Sequence, residues 1–471
     1  MAFPGTRVDL TNWSKSEQSP CYVIQAHDTQ DITQTLGQAR EQGRTLIPHG
    51  AGHSYTDAAL NTGGVVLDLT PMRRILAWDP ICGVMRVEPG ATLCEVVAAA
   101  WQDGWWPAIT PSTPEVTIGG CVAMNVTGKN AWRCGCFGDY VLAVEVALAT
   151  GAMLTLTHEQ NAQLFHAVVG GLGLLGVITS VTLQLQRLPA GRVVTRTRSA
   201  ASFADIFAIF AEEEATSDYL EAWIDGFAEG RRLGRGYVSC ATISHTGAWP
   251  RLRLRAADAS QRRAPSAAGW VGAASQPALL AGVGALNRTA YWGMRWLGSH
   301  QTAPRSLLPY TFYSPLALRG YHAVLSRGVE TFQAFVPAPQ AGNVFAATLS
   351  FAQKFGAPPI WCVVKRHRRD PFLLSYQVDG FSLELNFQRT ARNAPALEVM
   401  LRQMIAMVIS AGGRFYLAKD HFMTGEQYRA SLGDAAVNTF LRLKQQVDPQ
   451  TTLQSDVFRR IFQAQSQQPT R

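Results

Sequence analysis

Between Pro111 and Asp139 the chain strings together small and hydroxyl-bearing residues at a density that a plain connection has no use for. It reads Pro111-Ser112-Thr113-Pro114-Glu115-Val116-Thr117-Ile118-Gly119-Gly120, then Asn125, Thr127-Gly128-Lys129-Asn130 and Phe137-Gly138-Asp139. Such residues let backbone approach a bound molecule closely and offer hydrogen bonds along its length. A chain built this way must hold loops around a large ligand as well as pack a core.

Two more clusters make the same demand. His49-Gly50-Ala51-Gly52-His53-Ser54-Tyr55 follows a short strand at Thr45 to Pro48, and its glycines allow successive backbone N–H groups to converge on an anion such as a pyrophosphate. Gly171-Leu172-Gly173-Leu174-Leu175-Gly176 matches the dinucleotide fingerprint letter for letter. That motif needs a strand before it and a helix after. Here helix-like Asn161 to Val168 precedes and strand-like Val177 to Gln186 follows, so a Rossmann fold is not expected.

A length of 471 residues suggests two or three domains. With 47% hydrophobic and 16% charged residues, most of the chain should fold. The opening lacks a signal peptide's charged and apolar regions, and no apolar run reaches the roughly 18 residues of a membrane span, so a cytoplasmic protein is expected. Eight scattered cysteines form neither a zinc pattern nor a disulfide framework, and no metal site is expected. The net charge of +8 favours anionic partners: phosphates, nucleic acid or acidic lipid. Its basic runs, Arg251 to Arg263 and Lys365 to Arg369, lack the interleaved aromatics of a nucleic-acid surface, so no nucleic acid is expected.

Mixed strands and helices without strict alternation predict an α+β domain ending near Pro189. Residues 251–306, rich in Arg, Ala, Gly and Ser, fit either a mobile insertion or, over Ala273 to Leu286, a buried helix. Phe381 to Gln388 alternates without exception, so one strand face is apolar and the other carries Ser382, Glu384, Asn386 and Gln388. A helix from about Pro395 to Ser410 follows, then a strand from Phe415 to Lys419 and a Thr424-x-x-Gln427 capping box.

In order and spacing the three clusters resemble the FAD-binding pieces of the vanillyl-alcohol-oxidase/p-cresol-methylhydroxylase (PCMH-type) superfamily. Within it, Thr311-Phe312-Tyr313-Ser314-Pro315-Leu316 and Arg414 to Asp420 are most similar to the oxidase subunits of decaprenylphosphoryl-β-D-ribose 2-epimerases. The resemblance implies a two-subdomain FAD-binding domain over 1–188, a substrate domain on an antiparallel sheet flanked by helices over 189–413, and a return to the FAD domain over 414–471.

It also implies FAD contacts from His49 to Ser54, from Pro111, Ser112, Thr113, Thr117, Gly119, Gly120, Asn125, Thr127, Gly128, Asn130 and Gly138, and from Gly173, Gly176, Val177 and Ile178. Around the flavin's reactive face it places Tyr55, Tyr313, Gln333, Lys365, Ser382, Glu384, Asn386 and Lys419. Lys419 and Tyr55 are the expected catalytic groups, because a hydroxyl gives up hydride only if its proton leaves.

Three positions depart from the epimerase pattern. Thr127 stands where a histidine is usual, and Glu384 stands where a cysteine is, so the sugar contacts are rebuilt. His53 replaces an arginine and is similar to the histidine of alditol and aldonolactone oxidases that bonds the flavin 8α-methyl, which implies covalent FAD. Thr113 leaves no cysteine for a second attachment. The expected activity is oxidation of a hydroxyl on a sugar, nucleoside, polyol or related small molecule, with O2 or another electron acceptor, and the net charge of +8 leads us to expect an anionic substrate. A flavin-dependent C=C reductase and a non-catalytic flavoprotein stay open at this point.

Overall fold

The computed structural model describes residues 5–247, 249–250, 252, 276–297, 302, 304–312 and 328–463. Two sheets come from the first part of the chain. One combines β1 (Thr6–Thr11), β2 (Gln18–Gln25), β3 (Leu46–His49) and β4 (Val65–Asp68) in the order β1-β2-β4-β3. β2, β4 and β3 run parallel, which requires a crossover, and the helix Thr29–Glu41 supplies it. Asp28 caps this helix by accepting from Asp31 N–H, and Ile32, Leu36 and Ala39 lie on its buried face, at the spacing that an amphipathic helix requires.

The second sheet, all antiparallel, has β5 (Ile75–Asp79), β6 (Val84–Val87), β8 (Val141–Ala147), β9 (Met153–Thr157) and β10 (Val177–Gln184) in the order β5-β6-β10-β8-β9. A short ribbon joins β7 (Trp105–Trp106) to β11 (Gln186–Arg187).

The third sheet has eight antiparallel strands: β12 (Arg192–Ala200), β13 (Tyr219–Ile224), β14 (Gly236–Ile243), β15 (Arg305–Ser306), β16 (Val329–Pro337), β17 (Trp361–His367), β18 (Gly380–Gln388) and β19 (Arg414–Phe415). Their order is β15-β12-β14-β13-β17-β18-β16-β19. Helices Phe203–Glu213, Ala338–Lys354 and Ala394–Ser410 cover it. They meet the apolar side of β18, where Phe381 lies 4.7 Å from Phe207 and 5.6 Å from Phe210 by ring centroids. The chain is thus α+β with no closed barrel. No helix among the described residues is long and apolar enough to cross a membrane.

Within residues 251–306, the described part is the helix Gln276–Leu297 with the short strand β15. The helix is longer than the small-residue run Ala273 to Leu286, and only one side of it is covered: Asn287 and Tyr291 are buried while Leu286 is exposed.

The last residues return to the first. Leu46 of β3 bridges Leu453 in parallel, and Arg460 forks onto both carboxylate oxygens of Asp57 at 2.8 and 2.9 Å. Buried Lys444 donates to Leu174 O at 2.7 Å, Leu453 O at 2.6 Å and Asp448 at 2.5 Å, so one ammonium ties the Gly171–Gly176 turn to the tail. His421 joins three regions: Nε2 lies 3.2 Å from Glu17 and Nδ1 3.9 Å from Glu330 on β16, whose carboxylate also holds Arg389 at 2.8 Å.

Candidate active site

The three glycine-bearing clusters, separated by up to 120 residues in sequence, meet at the end of β3. Gly50 sits so close to Thr117 that a Cβ there would lie 2.1 Å from the threonine Oγ1. Gly173, with φ +73°, would put a Cβ 2.8 Å from Pro48, so the third cluster presses on the same strand end. Thr117 caps the helix Ile118–Met124, which holds Gly119 and Gly120, by accepting from Gly120 N–H. Asn125 ends that helix and accepts from Gly138 N–H at 2.9 Å. Val122 O and Ala123 O accept from Gly170 and Leu172. Gly176, against Val146, leads into β10 at Val177 and Ile178. Asn130 donates to Ala108 O at 2.8 Å beside Gly128, and Pro111, Ser112 and Thr113 form the more exposed approach to Thr117. As the residue order required, the helix Ala162–Val168 precedes the fingerprint and β10 follows it.

This cradle fits a dinucleotide-sized cofactor. Its loops approach one another where only glycine has room, and the Thr127 hydroxyl is buried with no hydrogen-bond partner among the described residues. His53 packs edge-on against Trp13 with ring centroids 4.2 Å apart, and Ser54 O accepts from Trp13 N–H, which fixes the loop containing Ala51 and Gly52.

Strand register builds the second half of the site. Glu384 of β18 is opposite Gln333 of β16 and Val363 of β17, and Ser382 is opposite Lys365, so all of these share one sheet face. Ser382, Asn386 and Gln333 are buried, and Glu384 is 9% exposed. The face that alternation marks as polar is therefore covered, not solvated. Asn386 donates to Glu384 at 3.2 Å and Thr331 to Asn386 at 2.8 Å, while Ser382 shares a 2.8 Å hydrogen bond with His367. Burial, with Lys365 nearby, holds His367 down at about 3, so that ring is neutral.

Lys419 completes the face, though not from a strand. β19 ends at Phe415 and the chain turns, with Lys419 N–H and Asp420 N–H both donating to Tyr416 O. The carbonyls of Leu417 and Ala418, which a continuing strand would have paired, accept instead from Thr56 Oγ1 and Tyr55 N–H. The turn puts Lys419 Nζ 2.5 Å from Glu384 and 5.3 Å from the centroid of the Tyr55 ring. Tyr55 and Glu384 thus come from distant parts of the sequence onto one ammonium.

Sequence reading did not single out Glu221 or give Lys129 a role. Lys129 Nζ lies 3.3 Å from Glu221, which in turn lies 3.5 Å from Lys365. Lys129 also donates to Tyr310 O at 3.1 Å. The only advance sign of Glu221 was one acid on the same strand face as Tyr219 and Trp223 in an otherwise apolar strand. Tyr313 lies outside the described residues.

The electrostatics follow from this chain of opposite charges. Burial pushes the Lys419 ammonium below its usual range, with Glu384 opposing and Lys365 adding to the push. Burial alone would raise Glu384, but Lys419 and Lys365 bring it below an ordinary carboxylate. Glu221 is lowered in the same way by Lys129 and Lys365. Burial, then Glu384, raises the Tyr55 phenol well above its ordinary value, so Tyr55 keeps its proton.

Residues 20–157 match the FAD binding domain family. Over 470 residues, 98% of both chains, the protein is 27% identical to the decaprenylphosphoryl-beta-D-ribose oxidase of Mycolicibacterium smegmatis. It is 30% identical to mouse L-gulonolactone oxidase over 38% of this chain and 40% of that one. To the D-lactate dehydrogenase of Anaerostipes hadrus it is 30% identical over 37% of this chain and 38% of the relative. The fold, the glycine-lined cradle and these matches define an FAD-dependent oxidoreductase. The family match covers the FAD-binding part, residues 20–157, and the full-length similarity is to an oxidase.

Proposed function

We propose that this flavoprotein oxidises a hydroxyl-bearing carbon of a sugar, nucleoside, polyol or related small molecule, with Lys419 handling the hydroxyl proton. The observation that carries the reading is the Lys419–Glu384 ion pair, 2.5 Å long, on the covered polar face next to Tyr55. Bound FAD supplies a two-electron acceptor for the hydride of the carbinol. The Lys419 amine, its charged form disfavoured by burial, takes or shares the hydroxyl proton, and Glu384 balances the ammonium. Tyr55, held protonated, donates a hydrogen bond and does not compete as a base. Once Lys419 has taken the proton, three lysines against two carboxylates leave the chamber net cationic, which suits a substrate carrying one negative charge. The names of the relatives, a sugar oxidase, a lactone oxidase and a hydroxy-acid dehydrogenase, are in keeping with carbinol oxidation.

The test is anaerobic bleaching of the flavin by a panel of polyols, sugars, nucleosides, sugar phosphates and hydroxy acids. With the substrate found, Lys419→Met should keep its flavin and reduce it about 100-fold more slowly or worse, the usual size of a lost acid–base group. Bleaching of the variant at a near wild-type rate would remove Lys419 from the mechanism. Consumption of NADPH with an alkene instead would point to C=C reduction.

His53 is the residue we assign to a covalent bond with the flavin 8α-methyl, on the strength of its place in the glycine loop and its fixed packing on Trp13. A neutral imidazole nitrogen is the nucleophile such a bond needs. Precipitation with trichloroacetic acid should leave yellow colour in the pellet, and His53→Ala should release it. Wild-type flavin in the supernatant would rule the bond out.

A further inference from the structure

We propose that the outer face of the helix Gln276–Leu297 docks the protein onto an anionic lipid surface. The helix is held in one rotational setting. Asn287 donates to Asp225 at 3.3 Å, and Tyr291, 4% exposed, lies under the Arg235 guanidinium at 5.2 Å. Asp225 and Arg235 are themselves a buried pair at 2.6 Å. At 3.6 residues per turn, fixing Asn287 and Tyr291 inward turns Leu286, Trp292 and Trp296 outward. They are 64%, 48% and 90% exposed.

Two features decide what this face meets. The three side chains present roughly 450 Å² of mostly apolar surface, about half of what each partner buries in a standard protein interface. That is small for a second copy of the chain and suits a helix lying in the headgroup region, where tryptophan is favoured. The second feature is charge. Arg288 and Arg295 are exposed along the same helix, Arg295 stacked over Trp292 at 5.9 Å, and the helix contains no acidic residue. Arginine beside exposed tryptophan, with carboxylates excluded, is complementary to phosphate headgroups. Attachment is peripheral, because the inner face stays on the buried Asp225–Arg235 pair.

Co-sedimentation of the holoprotein with vesicles tests this without any substrate. Phosphatidylcholine vesicles containing phosphatidylglycerol should retain the protein at low salt, and phosphatidylcholine alone should not. Trp292→Ser with Trp296→Ser should lower the partition coefficient by about tenfold or more while flavin content stays unchanged and the melting temperature falls only slightly, since Trp296 is 90% exposed and Trp292 gives up one edge contact with Tyr291. Arg288→Gln with Arg295→Gln should weaken binding to the anionic vesicles and flatten its salt dependence. Three results would each overturn the proposal. They are wild-type retention of the tryptophan variant, self-association of the wild type that the tryptophan substitutions abolish, and oligonucleotide binding lost through the same substitutions.

Discussion

Replacing His421 by asparagine tests whether one imidazolium joins the turn after β19 to Glu17 and to Glu330 of β16. Burial alone would lower the His421 pKa, but the contact with Glu17 at 3.2 Å and the nearby carboxylate of Glu330 outweigh it and raise the group to about 10. Against an ordinary value of about 6.5 the rise is roughly 3.5 units, worth about 4–5 kcal/mol of folded-state preference at most. A folded pKa above the unfolded one stabilises fully below pH ~6.5, and the contribution is lost as pH rises through ~10. Unfolding entropy of about 2.1 cal/mol/K per residue makes 1 kcal/mol worth about 1 °C in a chain of 471 residues. His421→Asn cannot carry the charge, so other titrating groups cancel when the two proteins are compared. The gap between their melting temperatures, followed by differential scanning calorimetry, should narrow by about 4 °C between pH 6.5 and pH 10. Parallel curves across that range would refute the argument and leave His421 neutral in the folded protein.

Lys444→Met should lower the melting temperature by about 3–5 °C, the scale of a broken buried pair in a chain this long, because Asp448 stays buried without its cation. Since Lys444 also holds Leu174 in the glycine turn, Lys444→Met in a His53→Ala background should release its FAD faster in a desalting assay than His53→Ala alone. Gly50→Ala places a methyl 2.1 Å from Thr117 Oγ1 and should give protein with a much lower 450-to-280 nm absorbance ratio. Gly37→Ala is its control: a Cβ there meets nothing within 4 Å, so flavin content should not change and the helix should gain about 1 kcal/mol.

The strand Gly380–Gln388 and its division into two faces were legible because a side-chain period of two belongs to the local backbone. What covers the polar face was not, since alternation says which residues share a side and nothing about what lies against it. Lys419 shows the same limit from the other direction. Its apolar neighbours at 415 and 417 suggested a strand, yet the carbonyls of residues 417 and 418 are taken by Thr56 and Tyr55, more than 350 positions away. Glu221 could be read only as an isolated acid, because its meaning depends on Lys129 and Lys365 arriving from two other elements. The fingerprint at Gly171–Gly176 was judged correctly because its test, the order of helix and strand, is itself local.

The pairing of the chain's two ends has a consequence for biosynthesis. Leu46 needs Leu453, Asp57 needs Arg460 and Tyr55 needs Ala418, so the loop at 49–55 lacks its supports until residues 418–460 have left the ribosome. Folding proceeds domain by domain from the N-terminus as a chain emerges. Here the first glycine cluster to appear is braced only after residues 418–460 have been made. A chain truncated before Leu453 would still contain every glycine of the cradle, yet it would lack the tail residues that brace the strand leading into it.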